Sequence, residues 1–208
     1  MTQIIGLTGG VGCGKSTIIQ LMEQHFNCRS ILTDDVSREH MEPGRVAYQN
    51  VVHEFGAEIL DEKGAIDRKK LAAVVFSDKK KLERLNMLTH PFVTEYVLRE
   101  VQKERESGQY DYLLIETALL IEGGYRSFCD QVWYVYAPDG HRRERLKKSR
   151  GYSDQKITEI FARQKTEEEF RDIATAVIDN HDGITQDDIL EQLKILCCQK
   201  PENKAEVE

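Results

Sequence analysis

No run of apolar residues approaches the roughly 18 that a membrane-spanning helix needs. The opening MTQIIGLTGG also lacks the charged start and apolar length of a secretory signal. The expectation is a cytoplasmic protein with no membrane partner. Proline is scarce, at 4 of 208 residues, and no repeat, low-complexity tract or Pro/Gly/Ser-rich linker parts the chain into independent domains. Cys13, Cys28, Cys129, Cys197 and Cys198 are odd in number and contain no C-x2-C pair, so they read as reduced thiols. The six histidines never fall at helical ligand spacing, and no protein-bound transition metal is expected. A formal net charge of -7 leaves no general basic face for a nucleic-acid backbone.

What the chain does have is 40% hydrophobic residues, enough for one compact core. Short β-branched or aromatic runs at Ile4–Thr8, Ser30–Thr33, Tyr112–Thr117, Val132–Ala137 and Thr175–Ile178 alternate with helical patterns. Strands that are apolar nearly throughout suit a parallel sheet covered on both faces. After the first of them Ile18, Ile19, Leu21, Met22 and Phe26 make a helical stripe, so the chain opens as strand, glycine loop, helix. The expected fold is α/β, a three-layer P-loop fold with a five-stranded, mainly parallel sheet. Its core covers 1–35, 109–138 and 165–199. A helical insert covers 36–108, with Gly108 as a helix stop, and a lid covers 139–164. Residues 200–208, rich in charge, read as a frayed tail.

GGVGCGKST, from Gly9 to Thr17, fits G-x4-G-K-[ST]. Glycines let successive backbone N–H groups curl around phosphate oxygens, and the helix that follows adds its positive end. The nucleotide contacts are expected from Gly10, Val11, Gly12, Cys13, Gly14, Lys15, Ser16 and Thr17. Lys15 reaches the β- and γ-phosphates of ATP and the Ser16 hydroxyl ligates Mg²⁺. Cys13 reads as a small residue filling the loop.

Ligands of parallel α/β folds bind beyond the carboxyl ends of the strands. Asp34 and Asp35 follow the second strand and Glu116 closes the third. Asp34 is read as the group that orients or deprotonates an acceptor hydroxyl, Asp35 as a helix cap, and Glu116 as a carboxylate that holds Mg²⁺ through water. Arg142, Arg143, Arg145, Lys147, Lys148 and Arg150 form a basic segment in which Arg142 and Arg145 share a helix face and could close over ATP. A guanine-reading N-K-x-D is absent. Asp61-Glu-Lys-Gly64 fits D-x-x-G but lies in the insert, so it reads as a turn and not as a GTP switch.

Taken in order, these segments resemble the dephospho-coenzyme A kinase family. The resemblance rests on IGLTGGVGCGKST at 5–17, TDDVSR at 33–38, EFGAEILDEKGAIDRKKLAAVVFSD at 54–78, LTHPFV at 88–93, ALLIE at 118–122 and ARQKTEEEFRDIATAVIDN at 162–180. It implies transfer from MgATP to the ribose 3′-hydroxyl of dephospho-CoA, with Lys15, Asp34 and Arg145 catalytic. It further implies that Phe55, Arg68, His90, Pro91, Leu119, Leu120 and Glu122 shape the acceptor site, that Asn180 lies near the adenine, and that the protein is a monomer or weak homo-oligomer. The sequence departs from the family pattern at Leu32, Thr33, Thr94, Ala118 and Ser149. Those departures keep two other readings open: a P-loop kinase of another nucleoside or nucleotide, and an ATP-binding regulatory homologue with weakened catalysis.

Overall fold

The computed structural model describes residues 1–76, 78–117 and 124–198. Its five strands are β1 (Gln3–Thr8), β2 (Cys28–Leu32), β3 (Tyr112–Glu116), β4 (Gln131–Tyr136) and β5 (Ala176–Asp179). Each lies within two residues of the ends read from the sequence. They form one sheet in the order β2-β3-β1-β4-β5, with β1 paired in parallel to β3 and β4, and β4 to β5. Ile4, Ile5 and Leu7, Leu113 to Ile115, and Val132, Trp133 and Val135 are fully buried. Adjacent residues point to opposite faces of a strand, so both faces of the sheet are covered. The indole N–H of Trp133 donates to Gln131 Oε1 at 2.6 Å, which removes the cost of burying that polar group.

The chain divides into two compact units, Met1–Ser30 with Ser107–Glu208, and Ile31–Glu106. The first holds most of the sheet together with α1 (Lys15–His25), α6 (Asp139–Arg150), α7 (Asp154–Phe161), α8 (Glu167–Ile173) and α9 (Gln186–Cys198). Ile18 and Met22 of α1 and Ile189 and Leu193 of α9 supply the buried sides of those helices. Phe170 of α8 stacks on Tyr134 of β4, rings 5.0 Å apart and 12° from parallel. The residues read as a lid, 139–164, are α6, α7 and the turns beside them.

The second unit holds α2 (Thr33–His40), α3 (Val46–Phe55), a 3₁₀ turn at Ala57–Ile59, α4 (Arg68–Phe76) and α5 (Lys79–Ser107). The sequence reading drew the insert over 36–108. Val51, Phe55, Ile59, Leu71 and Val75 form its core, with Leu82, Leu85 and Leu88 of α5 packed against them. Asp61–Gly64 is the expected turn. Asp61 Oδ1 accepts from the N–H of Lys63 and Ala65, both at 2.9 Å, and the turn closes the antiparallel Leu60–Ile66 bridge.

Two local expectations are corrected. Thr33 is not strand: β2 passes straight into α2, with Leu32 as the N-cap residue. Asp35 consequently falls inside the first turn, where it cannot cap, and its carboxylate pairs with Arg38 one turn on. The residues 200–208, read as a tail, lie outside the described residues, as does 199.

Candidate active site

The glycine loop leaves β1 and ends where α1 begins at Lys15. Gly14, its N-cap, has φ 97°, a left-handed conformation in which a side chain is strained. A Cβ on Gly14 would lie 2.1 Å from Asn180 Nδ2, and one on Gly10 would lie 2.3 Å from an Arg142 guanidinium nitrogen. Gly14 is therefore required for space as well as for torsion, and Gly10 leaves room for the Arg142 guanidinium. The carbonyl of Cys13 accepts from Asn180 Nδ2 at 2.8 Å and from Arg145 at 3.4 Å. The N–H groups of Gly14 and Ser16 have no acceptor among the described residues, while that of Lys15 faces the buried Cys13 sulfur. Unpaired donors at a helix N-terminus, in a glycine turn, are what an anion with several oxygens requires.

Lys15 Nζ donates to the Gly9 carbonyl at 2.9 Å and lies 3.5 Å from Glu116 Oε1. Glu116 sits at the carboxyl end of β3, in register with Leu7 of β1. Ser16 is exposed, and its hydroxyl makes no hydrogen bond among the described residues. A hydroxyl and a carboxylate are hard oxygen donors of the kind Mg²⁺ takes while keeping several waters, so these two side chains fit that ion. Among the described residues no group of three or more His, Cys, Asp or Glu is gathered that would hold a metal by protein ligands alone. Cys13 is buried and desolvation raises its thiol pKa, which makes it packing and not a nucleophile.

The two arginines read as a phosphate-facing pair both reach the loop from α6. Arg145 donates to the Asn180 carbonyl and to Asp182 Oδ1, each at 2.8 Å. Arg142 donates from Nε to the Val11 carbonyl at 2.9 Å and from its terminal nitrogens to Asp139 and Gln164, at 2.8 and 2.6 Å. Gln164 Oε1 also accepts from the Val11 N–H at 3.2 Å. Both backbone groups of Val11 are thus engaged by protein. Arg150 points elsewhere and lies over the ring of Tyr152, 5.9 Å from its centroid. Gln164 and Asp182 were not singled out by sequence reasoning, whereas Arg142 was read with Arg145 as a pair on one helix face. Asn180, expected beside the adenine, follows β5 and is buried against the loop. His181, next in the chain, and His141 of α6 bring their rings to 6.4 Å between centroids.

The remaining expected residues belong to the second unit. Asp34 is exposed in the first turn of α2, and its carboxylate has no partner among the described residues. Arg68 is exposed at the start of α4 and likewise forms no ion pair there, while Asp67 beside it caps the helix by accepting from the Lys69 and Lys70 N–H groups. Phe55 is only 8% exposed, its ring packed in the core cluster, and Gly56 after it, at φ 82°, ends α3. His90 and Pro91 lie within α5 and form neither a helix boundary nor a turn. Leu119, Leu120 and Glu122 lie outside the described residues.

A family model described as dephospho-CoA kinase matches residues 3–186. The dephospho-CoA kinase of Carboxydothermus hydrogenoformans is 38% identical over 190 residues, which cover 90% of this chain and 91% of that protein. A Thermus thermophilus protein of known structure superposes with a TM-score of 0.76 at 27% identity, covering 94% and 96% of the two chains. The dephospho-CoA kinase of Campylobacter jejuni shares the fold, with a TM-score of 0.68 at 22% identity over 95% and 98%.

Proposed function

The chain belongs to the dephospho-CoA kinase family, and from that premise we propose that it transfers the γ-phosphate of ATP to the ribose 3′-hydroxyl of dephospho-CoA. Beside family membership, the observation that carries the reading is the pair of unpaired N–H groups on Gly14 and Ser16 next to the Lys15 ammonium. These are fixed dipoles and a charge ready for the phosphate chain before it arrives. The acceptor oxygen forms a bond to the γ-phosphorus as the bond to the ADP oxygen breaks. Asp34 orients that hydroxyl and receives its proton, for which a carboxylate without a partner is suited. Lys15 and Arg145 offset the negative charge on the transferring group. Ser16 and, through water, Glu116 hold Mg²⁺, which when bound neutralises charge on the β- and γ-phosphates. The adenine lies beside Asn180, where His141 and His181 offer aromatic faces. Arg68, His90 and the second unit supply contacts to the acceptor.

The test is direct. Purified protein is incubated with MgATP and, separately, dephospho-CoA, nucleosides and nucleoside monophosphates, and the products are separated chromatographically. Formation of CoA and ADP in equal amounts is the expected outcome. Phosphorylation of another acceptor in preference to dephospho-CoA, or no transfer at all, would overturn the reading. Lys15→Ala is expected to abolish turnover in the same assay.

A further inference from the structure

Two side chains far from the glycine loop in sequence hold the two consecutive peptides that meet at Val11. Arg142 Nε donates to the Val11 carbonyl, and Gln164 Oε1 accepts from the Val11 N–H while also accepting from Arg142. The guanidinium is 12% exposed, lies 4.0 Å from the centroid of the Phe161 ring, and has its remaining nitrogen on Asp139. A planar fork of fixed donors, stacked on a ring and satisfied at each nitrogen, has one geometry available to it. The oxygen of Gln164 uses both its lone pairs, so loss of either donor loosens the other.

In a trans peptide the C=O and the N–H of the same bond point in opposite directions. A donor that holds the Val11 carbonyl therefore turns the Gly12 N–H away from itself. Arg145 and Asn180, by holding the Cys13 carbonyl, do the same for the Gly14 N–H. Glycine at 12 and 14, both at positive φ, would otherwise leave these peptides free to rotate. We propose that Arg142 and Gln164 are positioning residues for phosphate binding, a latch on Val11 that aims the Gly12 N–H at the phosphate chain before ATP binds. The proposal rests on the reading of the loop as the ATP phosphate cradle. It assigns to Gln164 a role that requires an oxygen acceptor and nothing else from the amide.

Gln164→Leu keeps bulk and removes the acceptor, Gln164→Glu keeps the acceptor, and Arg142→Lys keeps the charge but not the fork. Binding of MgATP, of Mg-tripolyphosphate and of adenosine is measured by calorimetry for each, with thermal melting as the control for folding. Gln164→Leu is expected to weaken MgATP and tripolyphosphate by about tenfold, the scale of a charge-assisted hydrogen bond, and to leave adenosine unchanged. Gln164→Glu is expected to restore most of that loss, and the double variant Gln164→Leu with Arg142→Lys to be little worse than either alone. Wild-type affinity in Gln164→Leu, equal loss for adenosine, or a Gln164→Glu variant as poor as Gln164→Leu would overturn the latch. Should Gln164→Leu fail to fold, the Gln164→Glu and Arg142→Lys titrations decide it alone. Failure of the cradle reading itself has a different signature: wild-type protein and Lys15→Ala would bind tripolyphosphate equally, and the latch would fall with it.

Discussion

Asp34 and Asp35 are adjacent acidic residues in one helical turn, and their surroundings separate them. Asp35 is held by Arg38, whereas Asp34 has no partner among the described residues. Asp34→Asn keeps size and hydrogen-bonding capacity but cannot take up a proton. Single-turnover transfer is expected to slow towards the low end of the roughly 10²–10⁴-fold range of general bases, with MgATP affinity unchanged. Asp35→Asn removes an exposed ion pair of about 0–1 kcal/mol and should leave the transfer rate alone. The reverse ranking would place the acceptor-activating carboxylate one residue on. The same comparison applies on α6. Arg145→Ala is expected to lower kcat well below wild type, while Arg150→Ala, whose guanidinium lies over Tyr152, is near neutral. Steady-state kinetics of the two variants, side by side, check this. The glycine loop was legible in the sequence because its residues are contiguous between β1 and α1. Gln164 was not, since nothing in local spacing ties it to Val11, 153 residues away.

Elements were legible to the extent that their signals are local. The strands announce themselves as apolar runs, and β2 was misjudged at its end only because Thr33, a good strand residue by type, opens α2. Proline inside a helix removes an N–H, and Pro91 stands inside α5. In α5 the carbonyl it would have served is that of Met87, a residue 65% exposed, so water is available to that group and the helix runs on. The start of α8 shows the opposite case, a fully local signal. Thr166 and Glu169 form a reciprocal capping box, Thr166 Oγ1 accepting from the Glu169 N–H at 3.2 Å and Glu169 Oε2 from the Thr166 N–H at 2.7 Å. Thr166→Ala is expected to cost about 0.5–2 kcal/mol of stability, read from denaturant unfolding, since Phe170 of this helix is the residue stacked on Tyr134. An unchanged midpoint would mean that the stack holds α8 without its cap.

For the molecule as a whole, acid should be destabilising well above the carboxylate range. Burial holds the pKa of His90 below its ordinary value. The unfolded chain takes up that proton near pH 6.5, while the folded protein resists it. Between the folded value and 6.5 the unfolded state binds more protons. Stability therefore rises with pH there, and the contribution is lost as pH falls below about 6.5. His90→Asn should flatten the dependence of the melting temperature on pH between about 5 and 7, and an unaltered slope would remove His90 as the cause.

The central place of β1 between β3 and β4 bears on how the chain is made. β1 leaves the ribosome before the other four strands of its sheet, yet its neighbours begin at Tyr112 and Gln131, beyond the whole of the second unit. At roughly 5–20 residues per second, its Ile4, Ile5 and Leu7 wait on the order of ten seconds for a sheet to join. Ile31–Glu106, by contrast, is continuous and can collapse as it emerges. A nascent chain stalled after Glu106 would thus carry a folded helical unit behind an apolar strand with no neighbour to pair with, the segment that chaperones are built to hold.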